Sequence, residues 1–243
     1  MTGGPDVLVL RDADALAQQV AERLLQKLVQ VQAEGGDPAI ALTGGGIADQ
    51  VHAAVARLAE ESTVDWSRVD VWWGDERFVA DDDEARNALQ ARRALLDHVA
   101  LDPARIHEVP ASDSGVADVE AAAAAYSDAV REHGGGRFDV VMLGIGPDGH
   151  VASLFPGSDQ LEVDDRVAVA VRDSPKPPPQ RVSLTYGALN RTAEVWFLVS
   201  GEGKADAVAR ALAGADRHEI PATGVRGQER TVWFLDEAAA SRR

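Results

Sequence analysis

The sequence predicts a single doubly wound α/β domain over residues 1–243, with a mostly parallel sheet and helices on both faces. Three observations point there. Short apolar runs alternate with stretches of helical periodicity almost from end to end. The helical stretches are long enough for right-handed crossovers between parallel strands. No internal repeat or long linker interrupts the alternation, and 243 residues can bury a substantial core.

The expected strands are Val7–Leu10, Ala39–Leu42, Val69–Trp73, Phe138–Leu143, Val167–Val171, Val195–Val199 and Thr231–Leu235. Between the first two, Leu16, Val20, Leu24, Leu28 and Val31 recur at helical spacing, with Asp12 or Asp14 available as the cap. Further helices are expected near Ala48–Glu60, Glu84–His98, Ala117–His133 and Glu202–Leu212. The run Ala121–Ala125 is read as good helix former, not as low complexity. Ala111–Gly115 reads as a loop. So does Ser174–Gln180, S-P-K-P-P-P-Q, whose prolines favour an extended polyproline segment that serves either as a rigid connector or as a cleft wall.

Composition narrows the function. With 24 Lys and Arg against 40 Asp and Glu, the net charge of −16 repels nucleic acid and anionic membranes, so neither is an expected partner. No apolar run approaches a membrane span, and the N-terminus lacks the pattern of a signal peptide. The absence of cysteine excludes disulfides, thiol nucleophiles and thiolate metal sites, and fits a cytoplasmic location. In so acidic a chain, an anionic substrate needs the scarce cations gathered in one place.

In such sheets, ligands bind outside the carboxyl ends of the strands. Three of these ends are rich in glycine. Thr43-Gly44-Gly45-Gly46 precedes a helix whose free N–H groups can meet an anion, although a plain tight turn reads equally well. No Gly-Lys-Ser/Thr follows, so it is not a nucleotide P-loop. Gly74-Asp75-Glu76-Arg77 offers Arg77 as a planar phosphate fork and Asp75 as a partner for a sugar hydroxyl or for proton transfer. Gly144-Ile145-Gly146-Pro147-Asp148-Gly149-His150 spells the dinucleotide fingerprint. Phe155-Pro156-Gly157 breaks the long helix that fingerprint requires, and Asp164 and Asp165 precede the next strand instead of ending it. No nucleotide cofactor is therefore expected.

What remains is Asp148 and His150 at the mouth of a glycine-lined loop, leading into an expected short helix. Its N-terminus would disfavour imidazolium, as a general base requires. The other histidines are less telling. His133 reads as a helix C-terminal residue, His52 and His98 lie within helical patterns, and His107 and His218 have no partners in motif spacing. No H-E-x-x-H, metal-spaced cluster or G-x-S-x-G elbow is present, so no metal and no serine nucleophile are expected. Ser153 is left between helix packing and a substrate contact.

Gly144–Gly157, G-I-G-P-D-G-H-V-A-S-L-F-P-G, closely resembles the signature of the 6-phosphogluconolactonases. Thr43–Gly46, Gly74–Val79, Asn87 with Leu95-Leu96, Lys176–Thr185 and Gly201–Lys204 follow in that family's order, so the resemblance spans nearly the whole chain. Gly46-Ile47-Ala48 departs from the Ser-Thr-Pro often found there. The resemblance implies the fold shared with glucosamine-6-phosphate deaminase, ribose-5-phosphate isomerase and CoA transferases. It further implies cofactor-free hydrolysis of 6-phospho-D-glucono-1,5-lactone in the oxidative pentose phosphate pathway. By that resemblance Gly45, Gly46, Arg77, Arg181 and Lys204 form the phosphate set. His150 is the base, with Asp75 and Asp148 nearby. Lys204 also falls in the first turn of its expected helix, where the dipole disfavours a cation unless an anion is bound.

Two rival readings are weaker. A deaminase would carry glutamate at Phe155 and usually tyrosine at Arg77. A sugar-phosphate sensor would need a DNA-binding module, for which the stretch before Val7 leaves no room. The sequence does not fix an oligomeric state, and a monomer is the default reading.

Overall fold

The computed structural model describes residues 4–133 and 136–243. Met1–Gly3, read above as part of the N-terminus, and Gly134-Gly135 lie outside them. In chain order the strands and helices are β1 (Asp6–Leu10), α1 (Ala13–Ala33), β2 (Ala39–Leu42), α2 (Gly46–Ala59), β3 (Asp70–Trp73), β4 (Asp75–Arg77), α3 (Asn87–Ala94), α4 (Val119–Glu132), β5 (Val140–Leu143), β6 (Ala168–Val171), β7 (Arg181–Leu184), α5 (Tyr186–Leu189), β8 (Glu194–Val199), α6 (Ala205–Leu212) and β9 (Arg230–Asp236).

Six strands form a parallel sheet in the order β1-β9-β8-β5-β2-β3. Its strands alternate between two cores. Ile40, Leu42, Val71, Trp73, Val140, Met142, Trp196, Leu198, Val232 and Phe234 pack on the face covered by α1, α2 and α3. Ala41, Trp72, Val141, Leu143, Val195, Phe197, Trp233 and Leu235 pack on the other, with α4 and α6. Both faces are apolar because both are covered, as parallel sheets require. Asp12 caps α1 through the N–H of Ala15 at 2.8 Å, and His133 ends α4.

The expected strand at Val167–Val171 is present as β6, but it does not join the parallel sheet. With β4 and β7 it forms a separate antiparallel sheet in the order β4-β7-β6. Gly74 is the pivot between the two sheets. Its N–H donates to Leu42 O, in line with the parallel sheet, and its carbonyl accepts from the N–H of Leu184, the last residue of β7. Two other expectations are corrected. No helix follows His150: Val151 and Leu154 bridge each other around a tight turn, with Ala152 at φ +50°. The proline-rich loop is not extended, since Ser174 N donates to Pro179 O and folds it back.

Candidate active site

The carboxyl ends of β2, β3, β5 and β8 carry the residues singled out above. After β2, Gly45 caps α2 at φ +104° without a side chain, leaving the first-turn N–H groups from Gly46 onward open to an anion. After β8, Gly201 at φ +97° turns the chain into the 3-10 turn Glu202–Lys204, and Lys204 stands at the N-cap of α6. Its Nζ donates to Ile145 O at 2.8 Å, which brings the start of α6 against the glycine loop after β5. Burial lowers the Lys204 pKa, the charge of Lys176 lowers it further, and Asp148 opposes both.

Within the loop after β5, Nδ1 of His150 lies 2.5 Å from Oδ1 of Asp148. Burial works against an ionised Asp148. The hydrogen bond from His150, together with the charges of His150 and Lys176, outweighs burial and holds the carboxyl well below the usual carboxylate range. A Cβ on Gly146 would overlap both the His150 ring and the Asp148 carboxylate, so the pair packs directly on bare backbone. The His150 ring also lies against Phe155, centroids 4.7 Å apart at 34°.

Asp75 opens β4 and is buried. Its Oδ2 accepts from Ser153 Oγ at 2.7 Å, and Ser153 N donates to Ser183 Oγ, opposite Asp75 in the sheet. Ser153 is therefore neither helix packing nor open to substrate. Its hydroxyl holds Asp75.

Arg77 and Arg181 face each other across β4 and β7. The Arg77 guanidinium donates to Ala85 O at 2.8 Å and to Oδ1 of Asn87, while its buried Nε has no partner among the described residues. Arg181 is buried and largely committed: Nε donates to Pro178 O, and Nη2 donates to Lys176 O and Pro177 O. Burial lowers its pKa, and the neighbouring Arg77 adds to this.

Several contributors were not assigned a role from sequence. Glu76 is fully buried and accepts from the backbone N–H groups of Arg77, Asn87 and Ala88, so it anchors α3 to β4. Burial pushes its carboxyl up to about 7. Asn87 donates Nδ2 to Asp75 O at 2.9 Å, and its amide fills the space a Cβ on Gly44 would need. Lys176 sits beside the Asp148–His150 pair. Apart from the bond between the neighbours Glu76 and Arg77, these contacts join residues 11 or more positions apart, and only the density of glycines and charges at strand ends hinted at them.

A parallel α/β sheet carrying a helix N-terminus, a His–carboxylate pair and converging cations at its carboxyl ends is built as an enzyme for a small anionic substrate. The chain belongs to the family described as glucosamine-6-phosphate isomerases/6-phosphogluconolactonase, whose model matches residues 11–233. It is 48% identical to a 6-phosphogluconolactonase of Streptomyces coelicolor, over 99% of this chain and 95% of that protein. It is 43% identical to the 6-phosphogluconolactonase of Mycobacterium tuberculosis, over 96% of each. Among solved structures, 6-phosphogluconolactonase from Thermotoga maritima superposes with a TM-score of 0.84 at 28% identity, covering 96% of this chain and 99% of that one. A monomeric glucosamine-6-phosphate deaminase shares the fold alone, with a TM-score of 0.84 at 20% identity over 98% of this chain and 100% of that one.

Proposed function

We propose that this chain hydrolyses 6-phospho-D-glucono-1,5-lactone to 6-phospho-D-gluconate, in the oxidative pentose phosphate pathway. The observation that carries the reading is the Asp148–His150 pair, seated on bare Gly146 backbone in the loop after β5, with Lys176 beside it and Lys204 bonded to Ile145 of the same loop. The relatives named 6-phosphogluconolactonase at 43–48% identity support the choice of substrate.

In the proposed mechanism the phosphate is held by the N–H groups at Gly45 and Gly46, by Arg77 through Nη2, by the remaining Nη1 of Arg181 and by Lys204. Asp148 accepts the Nδ1 proton of His150 and leaves Nε2 as the base. Nε2 takes a proton from water as the water oxygen attacks C1. Backbone N–H groups of the glycine loops stabilise the tetrahedral oxyanion. As the C1–ring oxygen bond breaks, the proton passes from Nε2 to the ring oxygen. Asp75, held by Ser153, orients a sugar hydroxyl or assists this transfer. No metal or organic cofactor enters.

No helix among the described residues is long and apolar enough to cross a membrane. The net charge of −16 supports an enzyme that acts on a small molecule and not on nucleic acid, and a cytoplasmic location belongs to the same proposal. The test supplies the lactone in place from glucose 6-phosphate and its dehydrogenase, then follows lactone loss with and without the protein. Accelerated loss without release of ammonia from glucosamine 6-phosphate is expected. The reverse pattern would replace the lactonase with a deaminase.

A further inference from the structure

The loop between β6 and β7 brings one more cation to the pair after β5. Lys176 Nζ lies 3.3 Å from His150 Nδ1 and 3.5 Å from Asp148 Oδ1, the same oxygen that His150 meets at 2.5 Å. An ammonium has donors only, so it cannot accept the Nδ1 proton that Asp148 already holds. Its partner in this triangle is the carboxylate oxygen.

Resting on the reading of His150 as the base, we propose that Lys176 is a positioning residue: its ammonium shares Oδ1 of Asp148 with His150 and so holds in place the carboxylate that keeps the imidazole proton on Nδ1 and leaves Nε2 open to water.

The placement of Lys176 is built into the fold. Lysine side chains on loops are commonly mobile, but here the backbone at 176 is held on both sides. Its N–H donates to Ser174 Oγ at 3.2 Å. Its carbonyl accepts from Ser174 Oγ at 2.8 Å and from Arg181 Nη2 at 3.0 Å. Arg181 in turn lies over the Phe155 ring, 5.8 Å from its centroid, and that ring lies against His150. The contacts close a circuit of His150, Phe155, Arg181, Lys176 and Asp148. Three hydrogen bonds from Nε and Nη2 of Arg181 thereby support the loop that delivers Lys176, and Nη1 is left over.

The electrostatic consequence follows from the signs. A carboxylate beside a ring nitrogen favours protonation of an imidazole, and a fixed positive charge beside the same nitrogen opposes it without removing the acceptor that sets the tautomer. The charged groups around the ring are Asp148 on its own loop, Lys176 from the loop before β7, Arg181 on β7 behind Phe155, and Lys204 at the start of α6. Of these, Lys176 is the cation in direct contact with the pair.

The test compares the pH dependence of kcat/KM for wild type, Lys176→Met, Lys176→Arg and His150→Ala, with uncatalysed lactone opening subtracted. Circular dichroism and thermal melts first establish that each variant is folded. For Lys176→Met the acid limb should move about one unit toward higher pH. Activity then falls about tenfold at pH 6 and stays within about twofold of wild type at pH 8.5, with KM changed less than about twofold. Lys176→Arg should restore the limb. Nitrogen-15 shifts should show the proton of the neutral His150 ring on Nδ1 in wild type and in Lys176→Met alike, because Asp148 remains to accept it. An equal loss at every pH, a raised KM with an unmoved profile, or wild-type behaviour of Lys176→Met would each overturn the proposal while leaving His150 as base. Full activity in His150→Ala would overturn the base reading itself, and the proposal with it.

Discussion

Ser153 donates its hydroxyl to Oδ2 of Asp75 at 2.7 Å, across a separation of 78 residues and with both groups buried. The bond joins the turn after His150 to the first residue of β4, so the two halves of the site cannot shift independently. Ser153→Ala leaves a buried carboxylate oxygen without its donor, at a cost of about 1–3 kcal/mol. Steady-state kinetics and a thermal melt should show kcat down by about tenfold, KM within about threefold, and a Tm lowered by several degrees. An unchanged kcat would mean that Asp75 does not take part in the reaction.

Gly146→Ala tests whether the pair needs bare backbone beneath it. A Cβ there would overlap the His150 ring and the Asp148 carboxylate, so the pair must move apart while the sheets remain intact. A displacement of about an ångström at a catalytic group can cost about a hundredfold. The expected outcome is a folded protein with kcat/KM reduced by about that factor, measured beside its circular dichroism spectrum.

Arg77 is fixed through Nη1 by Ala85 O and Asn87 Oδ1, which leaves Nη2 without a partner among the described residues. Charge-assisted hydrogen bonds contribute about 1.5–3 kcal/mol. Arg77→Gln should therefore raise KM by about tenfold or more and weaken competitive inhibition by inorganic phosphate in parallel, with a smaller change in kcat. Inhibition by phosphate that is unaffected in the variant would remove Arg77 from the phosphate set.

Two buried groups give opposite pH dependences of stability. Burial lowers the His52 pKa from 6.5 to about 4, so the unfolded chain binds a proton there that the folded chain refuses. That contribution is complete above 6.5 and is lost as pH falls through about 4. Burial raises Glu76 from 4.5 to about 7, so its contribution is complete below 4.5 and is lost as pH rises through about 7. Over the shared window the two nearly cancel. Urea unfolding of His52→Leu at pH 4 to 7 should unmask the second, with stability relative to wild type falling by roughly 3 kcal/mol as pH rises across the window. Parallel curves for the two proteins would contradict the assigned burial.

The parallel sheet was legible because its strands are short apolar runs between amphipathic helices; Ala39–Leu42 has the bounds expected of it. The antiparallel sheet was not. Asp75–Arg77 has no apolar alternation at all, and Ala168–Val171 has the composition of a strand buried on both faces, which either sheet can house. The missing helix after His150 turns on Ala152, whose positive φ no residue type announces. Glycine motifs placed the site at the strand ends, because close backbone approach selects glycine strongly. The roles of Ser153 and Lys176 depend on side chains meeting across 78 and 26 residues, and spacing along the chain carries no trace of that.

The most direct test follows the loss of 6-phosphogluconolactone, generated in place, with wild type and with His150→Ala at equal concentration. Removal of a general base costs about 10²–10⁴ in rate. Rapid loss with wild type and near-background loss with the variant is the predicted result. Background loss with folded wild type would contradict the lactonase, and equal acceleration by both would contradict His150 as its base.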